Sequence, residues 1–301
     1  MKILPIILAT TVAVAGMTTA QAETSRMDKI KSTGELTLGY RESSIPFSYL
    51  DDNQKPVGYS MDICYGIADA LKKDLKLPNL KIKLVSVTSS TRIPLVANGT
   101  VDIACGSATN NAQRQEQVAF APTTFVTATR FTALKSSNLK DLADFKGKTV
   151  VSTSGTSNLK WLTQVNAEQN LGMRIIPAKD HSEAFLTVAN GRATAFFMDD
   201  ILLAGLVANS QNAKDWMISE KAYTIEPYGM IEPKGDPQFK TAVDNAVKAM
   251  MKDGKIDTLY KKWFMSPIPP KNINLNWPMT PELKKVIANP TDSPNPADYK
   301  Q

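Results

Sequence analysis

Histidine is nearly missing from this sequence: His181 is the only one among 301 residues. Cysteine is almost as scarce, with Cys64 and Cys105 alone. A structural zinc site draws its ligands from Cys and His clustered at short, fixed spacings, and no such cluster exists here. With one imidazole, a Ser-His-Asp triad would need His181, Asp199 and a serine that nothing in the sequence activates. The G-x-S-x-G elbow, the P-loop and the G-x-G-x-x-G fingerprint are missing too. Neither a metal nor a cofactor is implied. Basic residues exceed acidic ones, 35 against 29, but the two signs are interspersed and no basic run is interleaved with aromatics. Nucleic-acid recognition therefore has little to work with. After the N-terminus no apolar run approaches the length needed to cross a bilayer.

The N-terminus has its own pattern. Lys2, the apolar run Ile3 to Gly16 and Ala20-Gln21-Ala22 before Glu23 form a secretory signal peptide, with residues 1–22 removed on export. The apolar run is too short for a permanent anchor, and no cysteine stands at the cut to carry a lipid. A soluble, exported protein is expected. Its remaining 34 basic and 29 acidic residues give a mild positive field. An oxidising compartment permits a Cys64–Cys105 bridge, and two buried thiols are the alternative, since sequence does not supply the Cα separation.

Along the chain, strands alternate with helices, which points to an α/β fold with largely parallel sheets. Leu36 to Tyr40 is a strand, followed by a Ser- and Pro-containing loop and a hairpin tip at Asp51-Asp52-Asn53. Ile63, Ile67, Leu71 and Leu75 recur every four residues and make a helix with one buried stripe. Lys81 to Val87 alternates as a strand, and Thr88-Ser89-Ser90-Thr91 should cap a short helix. Val101 to Cys105 is a buried strand, followed by Gly-Ser-Ala-Thr and a polar helix carrying Arg114. Phe125 to Leu134 is a long β-prone run, long enough to pass from one unit to another.

A second α/β unit repeats the first. Thr149 to Thr153 is a strand, and Ser154-Gly155-Thr156-Ser157 opens a helix. Arg174 to Pro177 is another strand, leading to a helix capped by Lys179-Asp180-His181-Ser182. Thr194 to Met198 delivers Asp199-Asp200 at its carboxyl end. Later, Phe239, Val243, Ala246, Val247 and Met250 line one helix face. From Ser266 the Pro- and Asn-rich chain should wrap the surface and fray at its end.

Open α/β sheets bind ligands at strand carboxyl ends. The first unit places Arg41, Ser89, Arg92, Ser107, Thr109 and Arg114 there; the second places Ser157, His181 and Asp199. Across a cleft these amount to three guanidinium groups, one imidazole, several hydroxyls and a single carboxylate. The complementary ligand is small, carries at least two acidic groups and has one cation. Each residue also has a plain reading: Arg41 and Arg92 as surface arginines, His181 as a helix cap, Asp199 as a partner of Lys179.

Several segments at consistent spacing resemble the periplasmic solute-binding proteins of polar amino-acid ABC transporters, and among them the glutamate/aspartate binders. They are Arg41-Glu-Ser-Ser-Ile-Pro-Phe-Ser-Tyr49, Arg92-Ile-Pro-Leu95, Cys105-Gly-Ser-Ala-Thr-Asn-Asn111, Thr153-Ser-Gly-Thr156, Ala178-Lys-Asp-His181 and Phe197-Met-Asp-Asp-Ile-Leu-Leu-Ala-Gly205. The resemblance implies a type II fold of two α/β lobes, each a mostly parallel sheet flanked by helices, joined by two crossing strands. Lobe one would take residues 23–127 and 228–301, and lobe two 132–224, with the hinge near 128–131 and 225–227. It implies that Arg114, with Thr109 and Ser107, clamps an α-carboxylate and that Asp199 accepts the α-ammonium. Arg41, Arg92, Ser89 and His181 would hold the side-chain carboxylate, with Ser157 completing the pocket. It gives Cys64 no counterpart, so the bridge does not follow from it. It implies a non-enzymatic monomer that delivers L-glutamate or L-aspartate to a membrane permease. The same fold also hosts dehydratases acting on prephenate or arogenate, for which Glu42 is the nearest acid, and binders of other polar amino acids.

Overall fold

The computed structural model describes residues 25–300, so the expected signal segment lies outside the described residues. Helix α1 (Arg26–Thr33) leads into strand β1 (Glu35–Tyr40). A small antiparallel ribbon follows, made of β2 (Ser43–Ser44), β3 (Ser48–Leu50) and β4 (Pro56–Val57). Then come α2 (Tyr59–Asp74), β5 (Lys81–Ser86), α3 (Arg92–Ala97), β6 (Ile103–Cys105), α4 (Ala112–Gln115) and β7 (Val118–Phe120). The β-prone run from Phe125 breaks at Ala128 into β8 (Phe125–Thr127) and β9 (Thr129–Leu134), which belong to different sheets.

The middle of the chain holds β10 (Thr149–Thr153), α5 (Ser157–Glu168), β11 (Arg174–Ala178), α6 (His181–Ala189), β12 (Phe196–Asp199), α7 (Asp200–Asn209) and β13 (Trp216–Ile218). The chain returns through β14 (Glu226–Tyr228) and β15 (Ile231–Pro233), and ends in α8 (Pro237–Lys252), α9 (Lys255–Phe264) and α10 (Pro281–Ala288).

These elements make two five-stranded sheets, one per lobe, ordered β5-β1-β6-β15-β7 and β11-β10-β12-β9-β13. In each, the first three strands are parallel, and the fourth runs antiparallel to both of its neighbours. Strands β8 and β14 pair with each other, Thr127 opposite Glu226 and Phe125 opposite Tyr228. This two-stranded ribbon carries the chain between lobes. The apolar stripes go where their periods direct them: Ile63, Ile67 and Leu71 of α2 are buried, as are Phe239, Val243, Val247 and Met250 of α8.

Two expectations are settled by packing. Cys64 on α2 and Cys105 at the end of β6 form a disulfide, with Cα atoms 6.2 Å apart, rather than two free thiols. The C-terminal segment does not fray as composition suggested. Thr123 accepts a hydrogen bond from or donates one to the Tyr299 hydroxyl at 2.9 Å, Asn110 donates to the Asp292 carbonyl at 2.7 Å, and Tyr299 is buried. One aromatic anchor and a row of backbone acceptors hold the stretch that follows α10, where proline disfavours regular structure without preventing contacts. Among the described residues no helix is long and apolar enough to cross a membrane.

Candidate functional site

Each lobe presents strand ends and helix starts to the other. Thr156 caps α5 by accepting from the Leu159 N–H at 3.1 Å, and Asp180 caps α6 by accepting from the Glu183 N–H at 2.9 Å. Asp180, not His181, is therefore the cap of α6, which leaves the imidazole free to serve elsewhere. At α3 the residue in the cap position is Thr91, but its hydroxyl accepts from the Thr88 N–H instead of from the helix.

The lobes meet across the cleft. Arg114 donates to the Thr109 carbonyl in its own lobe at 2.7 Å and to the Gly155 carbonyl in the other at 3.1 Å. A Cβ on Gly155 would stand 2.6 Å from the Ser90 Cα, and one on Gly205 would stand 2.7 Å from the Ile45 carbonyl oxygen. Glycine is what permits the two backbones to approach at these points.

On the first wall, Arg41, Arg92 and Arg114 are 2%, 3% and 8% exposed, so none is a surface arginine. Arg41 leaves the end of β1 and its backbone N–H donates to Ser48 Oγ at 2.8 Å. Arg92 opens α3 and donates to the Ser107 carbonyl at 2.7 Å. Burial holds the Arg41 guanidinium down to about 10. Arg92 is lowered well below the ordinary arginine value, first by burial and then by the like charges of Arg114 and Arg41. Four buried polar atoms here have no partner within the protein: Arg41 Nη1, Arg92 Nε, Ser89 Oγ and Ser107 Oγ. All four can donate. Buried donors without acceptors are costly, and a concentration of them defines a site for an anion.

The second wall answers with acceptors. Asp199 ends β12, where its Oδ1 accepts from Asn158 at 2.6 Å and its Oδ2 accepts from the Tyr228 hydroxyl. Burial, and next the charge of Glu226, push the Asp199 carboxyl up to about 8. Asp199 is not paired with Lys179. His181 is buried with Nδ1 at 2.8 Å from Thr153 Oγ1 and Nε2 at 3.4 Å from Arg41 Nη2. Ser157 donates to Glu226 at 2.8 Å and lies 3.2 Å from Thr109 Oγ1 of the first lobe.

All nine residues singled out in the sequence thus collect at the interface of the lobes. Three that sequence reasoning passed over join them. Glu226 is buried and accepts from Thr224 at 2.6 Å as well as from Ser157, so the cleft has two carboxylates rather than one. Tyr228 and Asn158 hold Asp199. Both Glu226 and Tyr228 lie on the crossing strand, which looked only β-prone, and Asn158 hides in the first turn of α5. Glu42, the acid nearest Arg41 in sequence, points away from this chemistry: it is exposed and accepts from Ser86 at 2.5 Å.

Two α/β lobes linked by a two-stranded ribbon, with polar strand ends facing across a cleft, define a type II periplasmic binding-protein fold. The family model for bacterial extracellular solute-binding proteins, family 3, matches residues 36–266, and the chain belongs to that family. An L-glutamate/L-aspartate-binding protein of Pseudomonas aeruginosa is 48% identical, over 97% of this chain and 98% of its own length. A glutamate/aspartate import solute-binding protein of Escherichia coli is 46% identical, over 91% of this chain and 90% of its own. Among solved structures, a mutant of the T. maritima ArgBP superposes with a TM-score of 0.71 at 27% identity, covering 79% of this chain and 98% of that one.

Proposed function

We propose that this chain is the solute-binding component of an ABC importer, taking up L-glutamate and L-aspartate in the periplasm and passing them to a membrane permease. One observation carries the reading: three buried guanidinium groups and four partnerless donors face a buried Asp199. A dicarboxylic amino acid supplies two carboxylates and one ammonium in that arrangement. The relatives' names support the same ligands.

In this reading Arg114, Thr109 and Ser107 hold the α-carboxylate, and Asp199 accepts the α-ammonium. Arg41, Arg92 and Ser89 take the side-chain carboxylate, while His181 holds Arg41 in place and Ser157 closes the cleft from the second lobe. Bidentate arginine contacts in a closed, water-poor cleft match every ligand charge. A neutral amide would leave Arg41 and Arg92 incompletely paired, at a cost of about 1–3 kcal/mol. The lobes are residues 23–127 with 228–301, and 132–224, and the monomer hinges near 128–131 and 225–227. No catalytic group is assigned, since Glu42 lies outside the cleft.

The test is calorimetry on the mature protein with glutamate, aspartate, glutamine, cystine and histidine. The expected result is binding of glutamate and aspartate with a Kd of about 1 μM or tighter. Tighter binding of glutamine than of glutamate would overturn the assignment.

A further inference from the structure

Ser157 and Asn158, adjacent at the start of α5, each hold a carboxylate: Ser157 donates to Glu226 at 2.8 Å and Asn158 to Asp199 at 2.6 Å. The same pairing recurs on the crossing strand. Glu226 and Tyr228 are two residues apart on β14 and share a face, and the Tyr228 hydroxyl donates to Asp199. Glu226 and Asp199 are thus two carboxylates on one wall, bridged from both sides by neighbouring residues. The function proposed above uses only Asp199.

The charges of the whole cleft show what the second carboxylate does. Arg41, Arg92 and Arg114 contribute three buried cations. His181 is neutral, because a guanidinium has only donors and Nε2 must accept from it. Asp200, the next acid along, is matched outside the cleft by Arg130 at 3.2 Å and by Thr127. Besides the hydroxyl of Tyr228, the groups facing Asp199 are then Glu226 from β14, Asp200 from α7, Arg92 from α3 and Arg114 from α4. With Asp199 ionised, as it must be to accept an ammonium, three cations and two carboxylates leave one positive charge. Without Glu226 they would leave two.

We propose that Glu226 is a specificity-determining residue that sets the charge of the cleft, favouring a ligand with two carboxylates and one ammonium over a dicarboxylate lacking the amino group. This rests on the reading of the cleft as an acidic amino-acid site. Glu226 acts through the electrostatics of the wall and through Ser157, without touching the ligand, and so is a positioning residue. Its negative charge favours the ligand ammonium beside Asp199 and opposes a second uncompensated anionic charge. It also makes Asp199 hold its proton more tightly, so that ammonium binding must displace that proton.

Calorimetry of the full mature chain with L-glutamate and with glutarate, which is glutamate without its amino group, tests this. Wild type should prefer glutamate. Glu226→Gln keeps the size and the hydrogen-bonding reach toward Ser157 and Thr224, and should cut the glutamate-to-glutarate preference by on the order of tenfold. Glu226→Asp keeps the charge and should retain the wild-type preference. A second readout is the pH profile. Wild-type glutamate affinity should rise from pH 6 to pH 8 as the Asp199 proton becomes easier to release, and Glu226→Gln should move that rise to lower pH. A purely structural role would weaken both ligands equally and leave the profile in place. A preference unchanged in Glu226→Gln, or lost equally in Glu226→Asp, overturns the inference while the ligand assignment stands. Failure of the wild type to bind glutamate overturns both.

Discussion

His181 Nε2 lies 3.4 Å from Arg41 Nη2, where the second lobe meets the first. Since the guanidinium can only donate, the imidazole accepts through Nε2 and gives its single proton from Nδ1 to Thr153. Burial, then the charges of Arg41 and Arg92, hold the ring well below its ordinary value of 6.5. A histidine kept neutral in the folded state while the unfolded chain titrates near 6.5 contributes stability that is fully present above that pH. It is lost as pH falls toward the folded value.

The ligand-free protein should therefore lose about 1.4 kcal/mol of stability per pH unit below 6.5 from this residue. His181→Gln should flatten the fall in Tm between pH 6.5 and pH 5. Parallel Tm profiles for the two proteins would show that the ring is not held neutral.

Arg92 should matter more to binding than to folding. Its guanidinium is buried beside the like charges of Arg41 and Arg114, so its removal relieves repulsion even as it loses the bond to the Ser107 carbonyl. Arg92→Ala should cost about 3 kcal/mol or more in glutamate affinity, read by calorimetry, with a much smaller change in ligand-free stability. Intact binding would remove Arg92 from the ligand contacts.

Gly155 should govern closure. Its φ is +75°, and an added Cβ would stand 2.6 Å from the Ser90 Cα across the cleft. Backbone cannot yield as a side-chain tip can. Gly155→Ala should weaken glutamate binding by about tenfold or more, from left-handed strain and the clash together. Small-angle scattering should show less compaction on adding glutamate than in wild type. Unchanged compaction and affinity would mean that the lobes close differently when liganded.

The Cys64–Cys105 bridge should carry a large share of the first lobe's stability. The cysteines are 41 residues apart, and closing a loop of that length is worth about 4 kcal/mol in the chain-entropy account. Denaturant titration of the Cys64→Ala/Cys105→Ala double variant should show a loss of that order. A loss under about 1 kcal/mol would mean that the packing of α2 on β6 suffices.

The residues that emerged from sequence share one property: each stands where a regular element ends. Arg41 follows a short strand, Arg92 opens a helix, and Asp199 terminates an apolar run. Periodicity marks these ends, and α/β architecture assigns them a place. Glu226 and Tyr228 had no such marker. They lie on a three-residue strand whose function is to cross between lobes, and a short crossing leaves no period to read. Their importance comes from what the second lobe folds against them. The disulfide was undecidable for a similar reason, since the separation of Cys64 and Cys105 depends on how α2 lies along β6. The C-terminal segment misled because proline and asparagine report the absence of helix and strand, not the absence of contacts. Tyr299 makes those contacts.

The place of β15 between β6 and β7 has a consequence for the order in which the molecule is assembled. The second sheet draws all its strands from the interval 129–218 and can close from a continuous stretch of chain. The first cannot: β6 can pair with β1 early, but residues 231–233 must arrive before β7, made more than a hundred residues earlier, has a strand to lie against. Until then the earlier-made lobe has an unfilled slot in its middle, with two strand edges bare. The lobe that begins first is thus completed last. The cleft's one crossing-strand acid, Glu226, belongs to that same late-made return of the chain.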